Sequence, residues 1–191
     1  MAVVIAVSVA ASHDPARRTL SSTTTSLVTS TTLVQGLARS TPVHLTVPSL
    51  GISTSIGELG LQANNQVQVP TSVHTVGWFR LGPTPGEVGS SVILGHVDSY
   101  RGPGIFFNLK TMRAGDLIEV QLADGLTAQF RVTSVVQYAK TAFPDALVYG
   151  AQPNRGLNLV TCGGTFNHQT HSYESNIVVF SRLVGTRGVA H

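Results

Sequence analysis

Beyond residue 42, apolar and polar positions alternate along most of the chain with a period of two. Val43, Leu45 and Val47 alternate with His44 and Thr46, the pattern of a strand with one face buried. Residues 52–56 repeat it after the turn-forming run Pro48-Ser49-Leu50-Gly51. Val67 and Val69 predict a third short strand ended by Pro70. Residues 90–94 make a compact apolar strand that runs into Gly95-His96. The alternation at Leu117–Leu122, the turn signal Asp124-Gly125 and the long run Thr127–Ala139 predict a hairpin. Residues 157–162 and 176–183 supply the last strands, and short helical pieces are expected at about 105–112 and 144–149. Eight or so short strands separated by turns predict an all-β fold, a closed eight-stranded barrel with one or two short helices.

The N-terminal part reads differently. Residues 2–11 are apolar except for Ser8. About ten residues make a helix of only ~15 Å, against a bilayer core of ~30 Å. The run fits a signal-peptide core, with Val9-Ala10-Ala11 suited to cleavage; the end of a longer membrane anchor and an ordinary apolar strand are the other readings. Residues 12–41 are rich in Ser and Thr, as in Ser21-Ser22-Thr23-Thr24-Thr25-Ser26, and read as a linker because such composition buries too little to offset its ordering entropy. The expected organisation is an apolar segment at 1–11, a linker at 12–41, a catalytic domain at 42–185 and a tail at 186–191.

Composition narrows the function. A net charge of +3 with no basic run argues against a nucleic-acid partner. The single cysteine, Cys162, excludes an internal disulfide and a zinc site built from several thiolates. A lone thiol is either a small buried hydrophobe or a reactive group. Its position leaves both readings open: Cys162 ends one predicted strand before Gly163-Gly164, and His96 follows another before Val97-Asp98-Ser99. Rigid strands that stop at a reactive side chain are good mounts for catalysis. A free thiol titrates near pH 8.5, about 1.5 units above neutrality, so a neighbouring imidazole that shares or takes its proton completes a nucleophile.

Longer stretches carry a resemblance. Asn158-Leu159-Val160-Thr161-Cys162 resembles the Thr-Leu-x-Thr-Cys signature of the sortases, with Asn158 in place of the first Thr. Its extension to Gly163-Gly164-Thr165-Phe166 is similar to the actinobacterial class F branch. So are Gly77-Trp78-Phe79, Pro85-Gly86-Glu87-x-Gly89-Ser90, Gly95-His96-Val97-Asp98-Ser99, Gly102-Pro103-Gly104-Ile105-Phe106 and Tyr173-x-x-Asn176-Ile177-Val178-Val179-Phe180. The resemblance spans nearly all of residues 42–184. It implies a sortase barrel and a cysteine transpeptidase outside the bacterial membrane, tethered or secreted at the cell surface and monomeric. Cys162 would attack the Thr-Gly bond of a Leu-Pro-X-Thr-Gly-like sorting signal on a surface protein. His96 would serve as acid and base, and the acyl group would pass to an amine such as a cell-wall peptide. No metal or other cofactor is implied.

One family feature is missing. Sortases use an arginine to steady substrate or oxyanion, and class F members carry it after the Tyr of the last motif, where this chain has Glu174. Arg182, Arg80 and Arg101 are the candidates to replace it. A hydrolase on the same scaffold and a catalytically idle surface-binding domain are the competing functions, the latter motivated by Glu174. Smaller expectations concern neighbours of the pair. Asp98 is assigned to turn stabilisation ahead of orienting His96. His168 and His171 are expected to face substrate or solvent, and Trp78 and Phe79 to line the groove or enter the core.

Overall fold

The computed structural model describes residues 36–188. Eight strands close into a barrel: β1 (Pro42–Val47), β2 (Ile52–Leu59), β3 (Val76–Phe79), β4 (Gly89–Gly95), β7 (Leu117–Leu122), β8 (Thr127–Ala139), β9 (Arg155–Asn167) and β10 (Ser172–Arg187). Around the barrel they follow the order β1-β2-β3-β4-β9-β10-β8-β7. A two-stranded ribbon, β5 (Asp98–Ser99) with β6 (Gly102–Pro103), projects from the end of β4. One short helix, α1 (Asp145–Val148), follows β8.

The third strand differs from the sequence expectation. Val67 makes only an isolated bridge to Leu61, and the strand that closes the barrel is β3, parallel to β2 and antiparallel to β4. Val76, Gly77 and Trp78 are all buried, so β3 shows no alternation to read, whereas Val69 is 54% exposed despite its apolar character. The expected helix at 105–112 is a 3₁₀ turn at Leu109–Thr111. Beneath it, Phe106, Leu109 and Met112 are buried in the barrel core.

Two apolar clusters explain the remaining pattern. Inside the barrel, Leu45, Val47, Ile93, Ile118, Val120, Phe130, Leu157, Leu159, Ile177 and Val179 pack together. Outside it, Val92 and Leu94 of β4, Val160 of β9 and Val178 of β10 pack beneath Val148 of α1, flanked by Tyr138, Phe143, Tyr149 and Phe180. Strands β4, β9 and β10 are therefore buried on both faces, which is why they read as continuous apolar runs. Asn158, buried on the outer face, donates through Nδ2 to the Val148 carbonyl at 2.8 Å and ties α1 to β9. Thr does not reach as far as a carboxamide, so the substituted signature residue acts as a helix anchor.

Residues 37–41, expected as the end of the linker, lie against the barrel. The Leu37 amide donates to the Gly86 carbonyl at 3.0 Å and the Ala123 amide to the Thr41 carbonyl at 2.8 Å. Arg39 pairs with Glu87 at 3.1 Å and lies over the Trp78 ring at 5.5 Å. Trp78 is itself a core residue at 3% exposure, with its indole N–H donating to the Pro83 carbonyl at 3.0 Å. Phe79 meets Tyr149 edge-on at 5.5 Å in the outer cluster.

Candidate active site

Strands β4 and β9 run parallel, with Ile93 opposite Leu159 and Leu94 opposite Val160 as the last partners. Side chains two residues apart on a strand share a face. His96 and Cys162 each lie two residues beyond that last pair, so both continue the outer face that Leu94 and Val160 bury. Both also line one cleft of about 1050 Å³. The apolar side of the cleft is made by Val67, Val69, Leu94, Val160 and Tyr149, and its polar side by Asp98, Lys140, Ser172, Tyr173 and Asn176.

His96 follows the last residue of β4 and lies outside the ladder. Its ring is instead held by the Pro70 carbonyl, 2.7 Å from Nε2. A carbonyl only accepts, so Nε2 carries a proton and Nδ1 is left with a lone pair when the ring is neutral. Cys162 remains within β9, paired to Asn176 of β10, and is half-buried and free. Thr161, beside it, is 4% exposed and its hydroxyl has no partner.

The glycines after Cys162 answer to packing. A Cβ on Gly163 would fall 2.7 Å from Ile177 Cγ1, and one on Gly164, at φ +79°, would fall 2.8 Å from Ser175 Oγ. The β9–β10 register slips between Tyr173 and Ser175 at this point. The glycine pair thus admits β10 and its bulge.

Asp98 is not engaged with a turn amide. Its Oδ2 accepts the Tyr173 hydroxyl at 2.5 Å across 75 residues of sequence. This hydrogen bond, with smaller contributions from burial and from the Asp98 and Cys162 charges, pushes the Tyr173 phenol up to about 12. His171 lines the cleft, while His168 stacks edge-on against Phe166 at 5.1 Å away from it.

Among the described residues no arginine lines the cleft. Arg182 stands opposite Gly156 and Arg131, six residues beyond Asn176, or about 20 Å along the strand at ~3.3 Å per residue. It borders a different pocket, with Ser181 and Asn154. The Arg80 backbone amide donates to the Leu59 carbonyl at 3.0 Å, and the Arg101 guanidinium lies 5.1 Å over the Tyr100 ring at the surface. Glu174 is exposed and accepts from Asn167 Nδ2 at 3.4 Å. The cleft's cation is Lys140, whose Nζ donates to Ser172 Oγ at 2.9 Å. Sequence reading missed Lys140, which sits just past a strand end with no motif to mark it. It also missed Pro70, whose contribution is a backbone carbonyl. Among the described residues no three His, Cys, Asp or Glu side chains are grouped to hold a metal ion.

Comparison with known proteins gives the chain a family. The sortase domain family matches residues 45–184, and the chain belongs to that family. Its structure is similar to sortase A of Corynebacterium diphtheriae in a lid-mutant form, at 18% identity and TM-score 0.59 over 78% of this chain and 73% of the other. It is also similar to the SrtA sortase of Actinomyces oris, at 20% identity and TM-score 0.59 over 81% and 86%. Listeria monocytogenes sortase A aligns at 16% identity and TM-score 0.58 over 80% and 92%. These likenesses establish the shared barrel. No curated protein sequence is similar enough to match. The chain is a sortase-type protein with a closed eight-stranded barrel.

Proposed function

We propose that the protein is a cysteine transpeptidase that cleaves a Leu-Pro-X-Thr-Gly-like sorting signal and passes the acyl group to an amine. The observation that carries this reading is the parallel register of Leu94 with Val160, which sets His96 and Cys162 level on one face of one cleft. Family membership supports it, and the apolar wall of Val67, Val69, Leu94 and Val160 suits the apolar side chains of such a signal. The class F motifs assign the chain to that branch. Residues 1–11 would tether or export it to the cell surface, where it would act as a monomer on proteins bearing the signal.

In this mechanism the Cys162 thiol gives its proton to His96 Nδ1 as the sulfur adds to the threonine carbonyl carbon, and the carbonyl oxygen takes the negative charge. The Asn176 carboxamide, on the strand paired with Cys162, and the Lys140 ammonium are two of the cleft's side-chain donors available for that charge. The intermediate collapses, the C–N bond breaks, and His96 gives its proton to the departing glycine amine. An incoming amine then attacks the thioester, loses a proton to His96 and releases Cys162. Water in place of the amine would make the same chain a hydrolase.

Mass spectrometry of the protein with a library of Leu-Pro-X-Thr-Gly peptides and candidate amines tests this reading. The expected result is a thioester on Cys162 and a new amide product that depends on the amine. Hydrolysis alone, with every amine tried, would move the assignment to hydrolase. No adduct with any peptide would leave a surface-binding domain.

A further inference from the structure

Beyond the Cys162–His96 pair, Asp98 and Tyr173 are joined across the mouth of the cleft. His96 lies outside the β4–β9 ladder, whose last partners are Leu94 and Val160. No strand pairing fixes its backbone. Its carbonyl accepts the Phe106 amide at 2.9 Å, and two side-chain contacts also hold the segment: the Pro70 carbonyl on the His96 ring at 2.7 Å and, two residues on, the Tyr173 hydroxyl on Asp98 at 2.5 Å. Tyr173 belongs to β10 and is paired with Phe166 of β9. The bond therefore ties the segment that bears the imidazole to the sheet that bears the thiol.

We propose that Asp98 and Tyr173 are a positioning pair that sets His96 against Cys162, and this rests on the transpeptidase reading above. Neither residue exchanges a proton with substrate. The chain of constraint is local: Tyr173 fixes Asp98 in β5, the β5–β6 ribbon returns to Gly104, and the Gly104 amide donates to the Val97 carbonyl at 2.9 Å while the Phe106 amide donates to the His96 carbonyl at 2.9 Å. Releasing Tyr173 frees a side-chain bond that joins this loop to β10 on the far side of the cleft. Tyr173 is a secure donor for the purpose, since its phenol, pushed up to about 12, stays protonated throughout the neutral range. A displacement of about 1 Å in a reacting group costs up to roughly 10²-fold in rate, so a positioning pair has large leverage without touching the chemistry.

The test uses Tyr173→Phe, Asp98→Ala, the double variant and Asp98→Asn in the full chain. The amide oxygen of Asp98→Asn still accepts from the phenol. Single-turnover acylation by a sorting peptide is read as rate and half-saturation separately. Tyr173→Phe and Asp98→Ala are expected to slow acylation roughly tenfold to a hundredfold with half-saturation little changed. The double variant should be no slower than either single change, and Asp98→Asn should recover most of the rate. Additive losses, a wild-type rate in Tyr173→Phe, or an Asp98→Asn enzyme as slow as Asp98→Ala would each overturn the proposal. A second readout needs no substrate: the amide hydrogen exchange of residues 96–106. Faster exchange in Tyr173→Phe supports the pair and unchanged exchange overturns it, even if the wild-type chain acylates with no peptide and the transpeptidase reading itself falls.

Discussion

Leu94 of β4 stands opposite Val160 of β9 at the end of a parallel ladder, and this one register sets the face that His96 and Cys162 share. Both side chains are buried in the outer cluster, at 8% and 4% exposure. A slip of one residue would turn His96 and Cys162 to different faces. Replacing the thiol should therefore remove the reaction and leave the frame. Cys162→Ala is expected to give no thioester and no product, with a melting temperature within a few degrees of wild type, since a half-buried thiol contributes little to packing. His96→Ala should lower the acylation rate roughly 10²- to 10⁴-fold, the range lost with a positioned acid–base group. Single-turnover acylation and thermal melts of both variants check this. Turnover by a purified Cys162→Ala protein would remove Cys162 from the mechanism.

The start of the folded unit can be cut finely. Removing residues 1–35 should leave the barrel as stable as the full chain. Removing 1–41 also takes away Leu37, Arg39 and Thr41, with their bonds to Gly86, Glu87 and Ala123. Arg39 is more than half exposed, so its ion pair alone is worth at most about 1 kcal/mol. The Glu87 carboxylate also accepts the Thr84 amide at 2.5 Å and hydroxyl at 2.9 Å. Glu87→Ala strands both partly buried donors and should cost about 1–3 kcal/mol. Urea denaturation of the two truncations and of Glu87→Ala measures the ranking: 1–35 removed without effect, 1–41 removed and Glu87→Ala both destabilised.

Much of this molecule was legible in the chain alternation, for physical reasons that also mark where legibility ended. Strands with one wet face, such as Leu117–Leu122, show themselves because burial alternates along them. β3 hides because Val76, Gly77 and Trp78 are buried without alternation, and Val67 with Val69 imitates a strand while lying in a loop. Cys162 and His96 stood out within longer motifs; His96 does follow a strand end, whereas β9 continues past Cys162 to Asn167. Their partners were not. Pro70 acts through a carbonyl, Lys140 follows a strand in an ordinary way, and the bond from Tyr173 to Asp98 joins positions 75 apart. Asp98 was assigned to a turn because an Asx turn is local and a long-range phenol cannot be seen in a sequence.

Two phenols bordering the cleft give the protein an alkaline limit. Tyr173 is raised to about 12 by its bond to Asp98 first, and Tyr149 to about 12 by burial first and the Asp145 charge second. Both folded values exceed the ordinary value of 10, so the fold favours the protonated phenols. Their contribution to stability is then complete below pH 10 and is lost as the pH rises through about 12. Denaturant midpoints measured between about pH 9 and 12 should fall along this limb. Tyr173→Phe and Tyr149→Phe should each make the decline shallower. A wild-type curve flat to the end of that range would mean that neither phenol is held protonated by the fold.

The remaining prediction concerns the charge that forms on the substrate carbonyl oxygen. An arginine was the expected source of stabilisation, with Arg182, Arg80 and Arg101 as the candidates. Arg182 is exposed and borders another pocket, with Ser181 and Asn154. Arg182→Ala should therefore acylate at the wild-type rate. Asn176 is different: it pairs with Cys162 across β9 and β10 and lines the cleft, so in the proposed mechanism its carboxamide borders the tetrahedral intermediate. Removing one well-placed donor from such a site costs roughly 10²- to 10³-fold, and Asn176→Ala should approach the lower figure. Lys140 is exposed and carries a flexible, strongly hydrated charge, so Lys140→Ala should cost about tenfold or less. Lys140→Arg should preserve the rate if charge is what matters. Single-turnover acylation of these four variants, with folding verified for each, separates the sources. A severe loss in Arg182→Ala would mean that the last strand reaches the cleft by a rearrangement on substrate binding. Wild-type rates in both Asn176→Ala and Lys140→Ala would leave the backbone amides beside Cys162 as the donors.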